Sequence, residues 1–200
     1  MIISNLFFES FMPVCLAFLG VLIGGLFTLK GVEKAHELDL KRERSAEKKL
    51  IDSFLQMIRT ELEAIWSQYQ ISMGRQVEAL KEDQPLLVIF PVAGNYFSVY
   101  ENNTNLLGRV KEENLRELIV IVYIKAKAML DAFKLNNEMI KEFEKFSRVS
   151  QNETDKTIKA FSDARLISLK EYAALIKKGH KEFKDSIQTL IGRLKKLLEN

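Results

Sequence analysis

Ser10 to Leu29 reads SFMPVCLAFLGVLIGGLFTL, twenty residues without a charge between Glu9 and Lys30. Twenty residues of α-helix rise about 30 Å, which is the thickness of the hydrocarbon core of a bilayer. Because hydrocarbon offers no water to backbone amides, a single segment crosses a bilayer only as a helix. The stretch therefore predicts a transmembrane helix over residues 10–29, preceded by a short tail, residues 1–9.

Two other interpretations of this stretch are a buried core helix and a cleaved secretory signal. A core helix usually carries a polar stripe, and this stretch has none. A signal peptide needs a basic leader and a cleavage site of small residues, but residues 1–9 contain no Lys or Arg and Thr28-Leu29-Lys30 is no such site. We therefore expect an uncleaved membrane anchor.

Basic side chains follow the predicted span and are absent ahead of it. Residues 30–50 hold Lys30, Lys34, Lys41, Arg42, Arg44, Lys48 and Lys49. Flanks rich in Lys and Arg are retained in the cytoplasm. We expect an outward N-terminus, a charged helical stalk over residues 30–50, and a cytoplasmic body over residues 51–200.

Small side chains recur on one face of the span. Gly20, Gly24 and Thr28 are spaced four residues apart. Such spacing lets two helices approach closely, so that van der Waals packing drives their association in lipid. The alternative is that these glycines only reflect the high glycine content of membrane helices. We interpret the face as a self-association surface, so the expected partners are the lipid bilayer and a second copy of the chain.

The composition indicates long helices and disfavours nucleic acid as a partner. The chain has 30 basic and 27 acidic residues, a net charge of +3, which is too mild for a nucleic-acid-binding protein. Only nine Gly and three Pro interrupt it, and such scarcity is typical of long helices. One cysteine excludes an intramolecular disulfide.

Residues 51–81 place apolar side chains every three or four residues, as in a long amphipathic helix. Pro85 ends it, because the residue before a proline resists the helical region. Trp66 and Tyr69 lie on the apolar stripe, and we interpret them as core residues rather than as a binding platform.

A stronger periodicity runs from Leu115 to Phe143. Apolar side chains repeat every seven residues in two series, the first formed by Leu115, Val122, Met129, Asn136 and Phe143, the second by Ile119, Ala126, Phe133 and Ile140. This predicts a helix packed knobs-into-holes against its neighbours. Asn136 falls either on the buried seam, where an amide fixes register, or at an exposed helix end.

The C-terminal part predicts a turn and two helices. Residues 147–155 are polar and indicate the turn, and residues 154–164 suit a short helix with Ile158 and Phe161 inward. Ser168 and Glu171 match a capping box that starts the last helix at Leu169. Its apolar stripe is Tyr172, Leu175, Ile176, Phe183, Ile187, Leu190, Ile191, Leu194 and Leu197, with a basic outer face.

These segments predict an all-α fold, in which a transmembrane helix continues into a cytoplasmic antiparallel helical bundle or coiled coil. Residues 86–108 form a short irregular insert, where Phe97 and Val99 alternate with polar residues in strand fashion. A helical turn over residues 101–107 closes on Gly108 as a C-terminal cap.

The insert also concentrates aromatic and amide side chains, namely Tyr96, Tyr100, Asn102, Asn103 and Asn105. One interpretation is an ordered connector whose rings plug the end of the bundle while its amides cap helix ends. The other is a surface that binds a cytoplasmic protein partner.

Residues 97–108 (FSVYENNTNLLG), followed by IVIVYIKAK at residues 119–127, resemble a pattern in small bacterial and phage-borne membrane proteins. Those proteins have one N-terminal span and a helical cytoplasmic body. The resemblance covers about residues 85–140 and the anchor. It implies a bacterial inner membrane, and a role in host–phage conflict, but it carries no catalytic residue.

The sequence contains no motif for catalysis, metal or cofactor. It lacks HExxH, CxxC, GxSxG and a phosphate-binding glycine loop, and we interpret its two histidines, His36 and His180, as solvated. We expect a non-enzymatic membrane protein that acts by self-association, as an effector in bacterial stress or anti-phage defence. The alternative is a passive scaffold or receptor that recruits a cytoplasmic protein. A third, a phage lysis protein, requires the opposite orientation.

Overall fold

The computed structural model describes residues 2–92, 94–152 and 156–199, with the side chains of residues 2–15, 22, 23 and 150–152 left aside. The described residues form helices and irregular loops, without a strand. The chain divides into two units, Met1–Leu50 and Ile51–Asn200. The predicted all-α fold, with a long apolar helix ahead of a helical body, is confirmed.

The first unit is helical throughout its described part, because helix α1 covers Ile2–Tyr69. Every described side chain from Leu16 to Leu50 is exposed. One helix of the described chain is long and apolar enough to cross a bilayer, judged by length and composition, and none of its apolar window is buried. The apolar side chains of this segment are not buried by other parts of the described chain. Large exposed apolar surfaces of this kind are typical of segments that contact a membrane or another protein.

The described part of the second unit holds the end of α1, a π-helical turn and five further α-helices. A π-helical turn, Gln70–Gly74, follows α1 and leads into α2, Arg75–Ala79. Two short helices come next, α3 at Ser98–Asn102 and α4 at Thr104–Leu107. Two long helices complete the unit, α5 at Glu113–Asn152 and α6 at Lys156–Leu198.

Side-chain contacts show that α6 runs antiparallel to both of its long neighbours. Along α5, Lys125 Nζ donates to Ser186 Oγ at 2.8 Å and Glu142 pairs with Arg165 at 3.1 Å. Residue numbers therefore increase along α5 in the direction in which they decrease along α6. Along α1, Lys195 pairs with Glu63 at 3.4 Å and the Tyr69 hydroxyl lies 2.7 Å from His180 Nδ1, so α6 descends as α1 ascends. The end of α1 and helices α5 and α6 therefore form the predicted antiparallel bundle.

The core follows the heptad pattern of α5. Every member of the two predicted series is buried except Phe143, which is half-buried. Asn136 lies on the buried seam, where its Nδ2 donates to the Leu86 carbonyl at 3.0 Å. The amide therefore ties the segment after α2 to α5, which is the register role expected of a buried polar group. Trp66 and Tyr69 contact this core, as predicted.

The C-terminal predictions need correction. Helix α5 continues to Asn152, so the turn predicted from residue 147 is wrong there, and residues 153–155 lie outside the described chain. Helix α6 starts at Lys156 and passes through Ser168 without a break. The Ser168 hydroxyl donates to the Ala164 carbonyl at 3.2 Å, and this backward bond within the helix replaces the predicted capping box.

Three predicted core residues of α6 are on its surface. Leu175 is 62% exposed, Phe161 is 56% exposed and Leu197 is 39% exposed. The buried stripe instead includes Leu169, Ala173 and His180. The predicted stripe was too wide because periodicity alone cannot say which edge of an apolar face meets its neighbours.

The insert also differs from the prediction. Helix α2 ends at Ala79, well before Pro85, because Leu80 turns extended and its carbonyl accepts a hydrogen bond from Lys177. The alternation of Phe97 and Val99 is not a strand, since α3 begins at Ser98. Helix α4 ends at Leu107 with Gly108 as its C-cap, as predicted, and Gly108 adopts a right-handed conformation with φ −63°.

Replacing Leu190 with alanine is expected to lower the free energy of unfolding by about 2–5 kcal/mol, because this fully buried side chain would leave a cavity. Leu175→Ala, the same change on the same helix, should alter it by less than about 0.5 kcal/mol. Denaturant unfolding followed by Trp66 fluorescence measures both. Equal losses would contradict the observed orientation of α6.

Candidate functional sites

The predicted association face lies open along the first unit. A Cβ atom built at Gly20 or Gly24 meets nothing within 4 Å beyond the local helix. The Thr28 hydroxyl donates to the Gly24 carbonyl at 2.9 Å, so this polar group is satisfied within the helix. The face therefore presents small side chains and no polar group that must find a partner elsewhere.

Glu61 of α1 organises the insert that the sequence singled out. Its Oε1 accepts the Val99 amide at 2.7 Å, and its Oε2 accepts the Tyr100 amide at 3.2 Å and the Tyr123 hydroxyl at 2.7 Å. One carboxylate thus caps the first turn of α3 and ties it to α5. Burial and this carboxylate together hold the pKa of Tyr123 far above its usual range.

The five predicted surface residues divide into two groups. Tyr100 stacks on Tyr123 with ring centroids 4.0 Å apart, and Asn103 Nδ2 donates to the Val99 carbonyl at 2.8 Å. Tyr96 is half-buried. Asn102 and Asn105 are exposed. The inward contacts are those of an ordered connector, whereas the two exposed amides remain available to a partner.

His180 is buried, so its interpretation as a solvated residue is wrong. It is 3% exposed, and the Tyr69 hydroxyl lies 2.7 Å from its Nδ1. Its Nε2 lies 3.1 Å from Glu78 Oε1, which also accepts a bond from Lys184 Nζ at 2.8 Å. Four side chains from α1, α2 and α6 therefore form one chain of hydrogen bonds, the Tyr69–His180 relay.

Electrostatics fixes the proton positions in this relay. The hydrogen bond from Lys184, assisted by one from His180, lowers the pKa of Glu78 to about 2. Glu78 is therefore ionised and can only accept, so Nε2 carries the imidazole proton and Nδ1 accepts from the Tyr69 hydroxyl. Burial lowers the pKa of His180 below its ordinary value, which favours this neutral form.

The relay is built to hold protons rather than to release them. Burial raises the pKa of Tyr69 far above its ordinary value, so the phenol stays protonated and is a poor nucleophile. Both ring nitrogens of His180 are engaged in hydrogen bonds. Within the described residues no group of three His, Cys, Asp or Glu side chains could hold a metal ion.

The π-helical turn places the relay. It inserts between Tyr69 and Arg75, where Gln70 Nε2 lies 3.4 Å from Glu78 Oε1. The glycine at position 74 leaves room for the Gln70 side chain in this position, because a Cβ on residue 74 would lie 2.6 Å from Gln70 Oε1. Turns of this kind are frequent at functional sites. A glycine in an apolar helix was the available sequence signal, but it does not predict a π-helix.

A cavity of about 560 Å³ lies beside the relay, between α6 and the loop after α2. Lysines from the basic face of α6 line it, and several are already engaged. Lys170 pairs with Asp83 at 3.0 Å, Lys177 donates to the Leu80 carbonyl, and Lys184 binds Glu78. These lysines fasten the loop to α6, which gives part of the basic face a structural role.

No protein-family model matches this chain, and neither a curated protein nor a solved structure matches it. The resemblance carried by residues 97–108 therefore stays a prediction.

The stability of the body should fall in mildly acidic solution because of His180. Its folded-state pKa lies below the ordinary value of 6.5, so the unfolded state binds more protons at acid pH. The stabilisation is fully present above about pH 6.5 and is lost as the pH falls through the folded-state pKa. Glu78 acts in the same direction lower down, as the pH falls from 4.5 to about 2.

Unfolding midpoints between pH 7.5 and 5 measure this effect, with Trp66, which stacks near His180, as the fluorescent reporter. His180→Gln should flatten the pH dependence in this window. His36→Gln, at the exposed second histidine, should leave it unchanged. A His180→Gln protein with the slope of the wild type would contradict the assignment.

Glu61→Gln should loosen α3, because an amide cannot accept all three bonds that the carboxylate accepts. We expect a loss of about 1.5–3 kcal/mol in the free energy of unfolding, the range for hydrogen bonds to charged groups. Hydrogen exchange at the Val99 and Tyr100 amides should accelerate at least tenfold. Glu63→Gln, on the same helix, is the control, and unchanged exchange in Glu61→Gln would overturn the capping role.

Proposed function

We propose that this chain is a single-pass membrane protein that acts by self-association. In this proposal residues 10–29 span the inner membrane of a bacterium with the N-terminus outside, and the helical body lies in the cytoplasm. The protein serves as a non-enzymatic effector in a stress or anti-phage defence system. Association of the bodies clusters the spans, and the clustered spans perturb the bilayer.

The observation that carries the proposal is the exposed apolar surface of the first unit. Leu16, Phe18, Leu19, Leu26 and Phe27 are all exposed within one helix. Such a surface is stable in lipid and unstable in water. The open Gly20 and Gly24 face then supplies the close approach that helix association in lipid requires.

A second apolar surface supports association of the bodies. On α5, Ile121, Ile124 and Leu135 are exposed, and on α6 Leu175 is exposed. Ala128 and Leu175 line a common groove between these two helices. The described residues that line this groove all belong to α5 and α6, so in this proposal the groove receives a helix of a second copy.

The scaffold alternative draws on fewer residues than the sequence suggested. Tyr100 and Asn103 make intramolecular contacts, which leaves Asn102 and Asn105 as the exposed members of the candidate partner surface. A scaffold would recruit its partner through these amides without perturbing the membrane. The two functions therefore differ in whether the membrane span itself perturbs the bilayer or only anchors the body that recruits a partner.

The test is controlled expression of the full chain in a bacterial host, with membrane potential and growth as readouts. Gly20→Leu/Gly24→Leu, which fills the small-residue face, should abolish depolarisation and reduce cross-linked dimer by at least fivefold at matched protein level. Depolarisation should depend steeply on expression, because clustering is concentration-dependent.

Gly25→Leu is the control, since it introduces a single leucine beside the face formed by Gly20, Gly24 and Thr28. It should retain depolarisation. Depolarisation that persists in Gly20→Leu/Gly24→Leu would overturn association through this face. A wild-type protein that never depolarises the membrane, yet loses a co-purifying protein on Asn102→Ala/Asn105→Ala, would favour the scaffold.

A further inference from the structure

A second cavity, the apolar pocket, lies within the helical body and has a volume of about 250 Å³. Its walls come from α1, the π-helical turn, the insert, α5 and α6. Native interiors are close-packed and contain few voids larger than a water molecule. A dry cavity of about 150 Å³ is already large enough to bind benzene, so a pocket of this size has room for an occupant.

The walls determine which chemistry fits. Six aromatic rings line the pocket, those of Tyr69, Phe90, Tyr96, Phe97, Phe133 and Phe183. None of the described side chains that line it is charged. The Tyr69 hydroxyl bonds to His180, so Tyr69 offers its ring rather than a proton. An ion in this pocket would lose its hydration without compensation, which leaves uncharged apolar molecules.

Two polar side chains lie among the apolar walls of the pocket. Gln68 is exposed, and Ser72 of the π-helical turn is half-buried. The Ser72 hydroxyl donates to the Gln68 carbonyl at 2.9 Å. An apolar lining with a few polar groups is the usual composition of a small-molecule site.

Hydrogen bonds keep this pocket from collapsing. Asn137 holds the backbone of Phe90 at both ends, since Oδ1 accepts its amide at 3.0 Å and Nδ2 donates to its carbonyl at 2.7 Å. On the other side, Glu61 fixes the Val99 and Tyr100 amides. The insert is thus clamped on both sides of Tyr96 and Phe97, so the walls are set in the absence of an occupant.

We propose that the apolar pocket is a binding site for one uncharged, largely aromatic molecule of about ten non-hydrogen atoms. The size follows from the ratio of the two cavity volumes. A cavity of about 150 Å³ holds the six carbons of benzene, so one of about 250 Å³ holds about ten non-hydrogen atoms in proportion. The π-helical turn contributes Ser72 to the lining of the pocket, which fits the frequent use of such turns at functional sites. The site is separate from the association proposed for the span, and binding can be tested without any membrane effect.

The experiment uses the full chain in lipid nanodiscs, with its six methionines methyl-labelled with ¹³C, and 2-naphthol as the probe. Met129 lines the pocket and also the groove that contains Ala128, so its methyl group responds to binding at either place, and comparison of Ala126→Phe with Ala128→Phe assigns the response to the pocket. Its methyl resonance should shift and saturate as 2-naphthol is added. Naphthalene-2-sulfonate, which has the same rings and a charge, should cause no saturable shift.

Ala126→Phe fills the pocket from α5 and should weaken binding at least tenfold. Ala128→Phe makes the same change two residues away, in the groove on the other side of α5, and should bind like the wild type. Phe90→Ala enlarges the pocket and should let the protein bind 9-anthracenemethanol, a three-ring probe that the wild type excludes. This third variant tests the site even where Ala126→Phe does not fold.

Three results would overturn the proposal. They are a Met129 resonance that does not respond to 2-naphthol, equal binding by a folded Ala126→Phe protein, and binding of the three-ring probe by the wild type as tightly as by Phe90→Ala. Saturable binding of 2-naphthol that Ala126→Phe removes and Ala128→Phe retains would establish the pocket as a ligand site.

Discussion

The body of this protein depends on burial of the apolar seam of α5. Leu115, Ile119 and Val122 are inaccessible to water, and they belong to one continuous core together with buried side chains of α1 and α6. Burial of such side chains contributes about 1.5–3 kcal/mol each. Because the seam faces two neighbours at once, it fixes which side of each neighbour turns inward. The positions of all other groups in the second unit follow from that choice.

Hydrogen bonds of polar groups drawn into this core shape the molecule, although the buried Oδ1 of Asn136 has no partner among the described residues. Glu61 binds two insert amides and a tyrosine, His180 bridges Tyr69 and Glu78, and Asn136 holds the Leu86 carbonyl. A buried polar group without a partner costs about 1–3 kcal/mol, so each of these bonds restricts where the irregular segments can lie. The insert and the loop after α2 are ordered by side chains far away in sequence.

The first unit obeys a different constraint. Its described side chains from Leu16 onward are exposed and, up to Leu29, largely apolar. Helix hydrogen bonds satisfy its backbone internally, and the Thr28 hydroxyl is satisfied by Gly24. In the proposed function this helix acts through its contacts with lipid and with a second copy of the helix, and not through a packed core. The apolar pocket of the second unit, by contrast, depends on tertiary contacts among several elements.

The sequence by itself determined the helical class, the long apolar N-terminal helix and the buried seam of α5, because each is written in local composition and a short period. Only the tertiary structure decided the exposure of Leu175, the burial of His180, the unbroken course of α6 and the π-helical turn. Those features depend on which neighbour meets each face. The partners of His180 are about a hundred residues away, Glu61 meets the insert across 38 residues or more, and no local pattern encodes such pairings. The apolar pocket was equally beyond sequence reasoning, since its walls come from five separate elements.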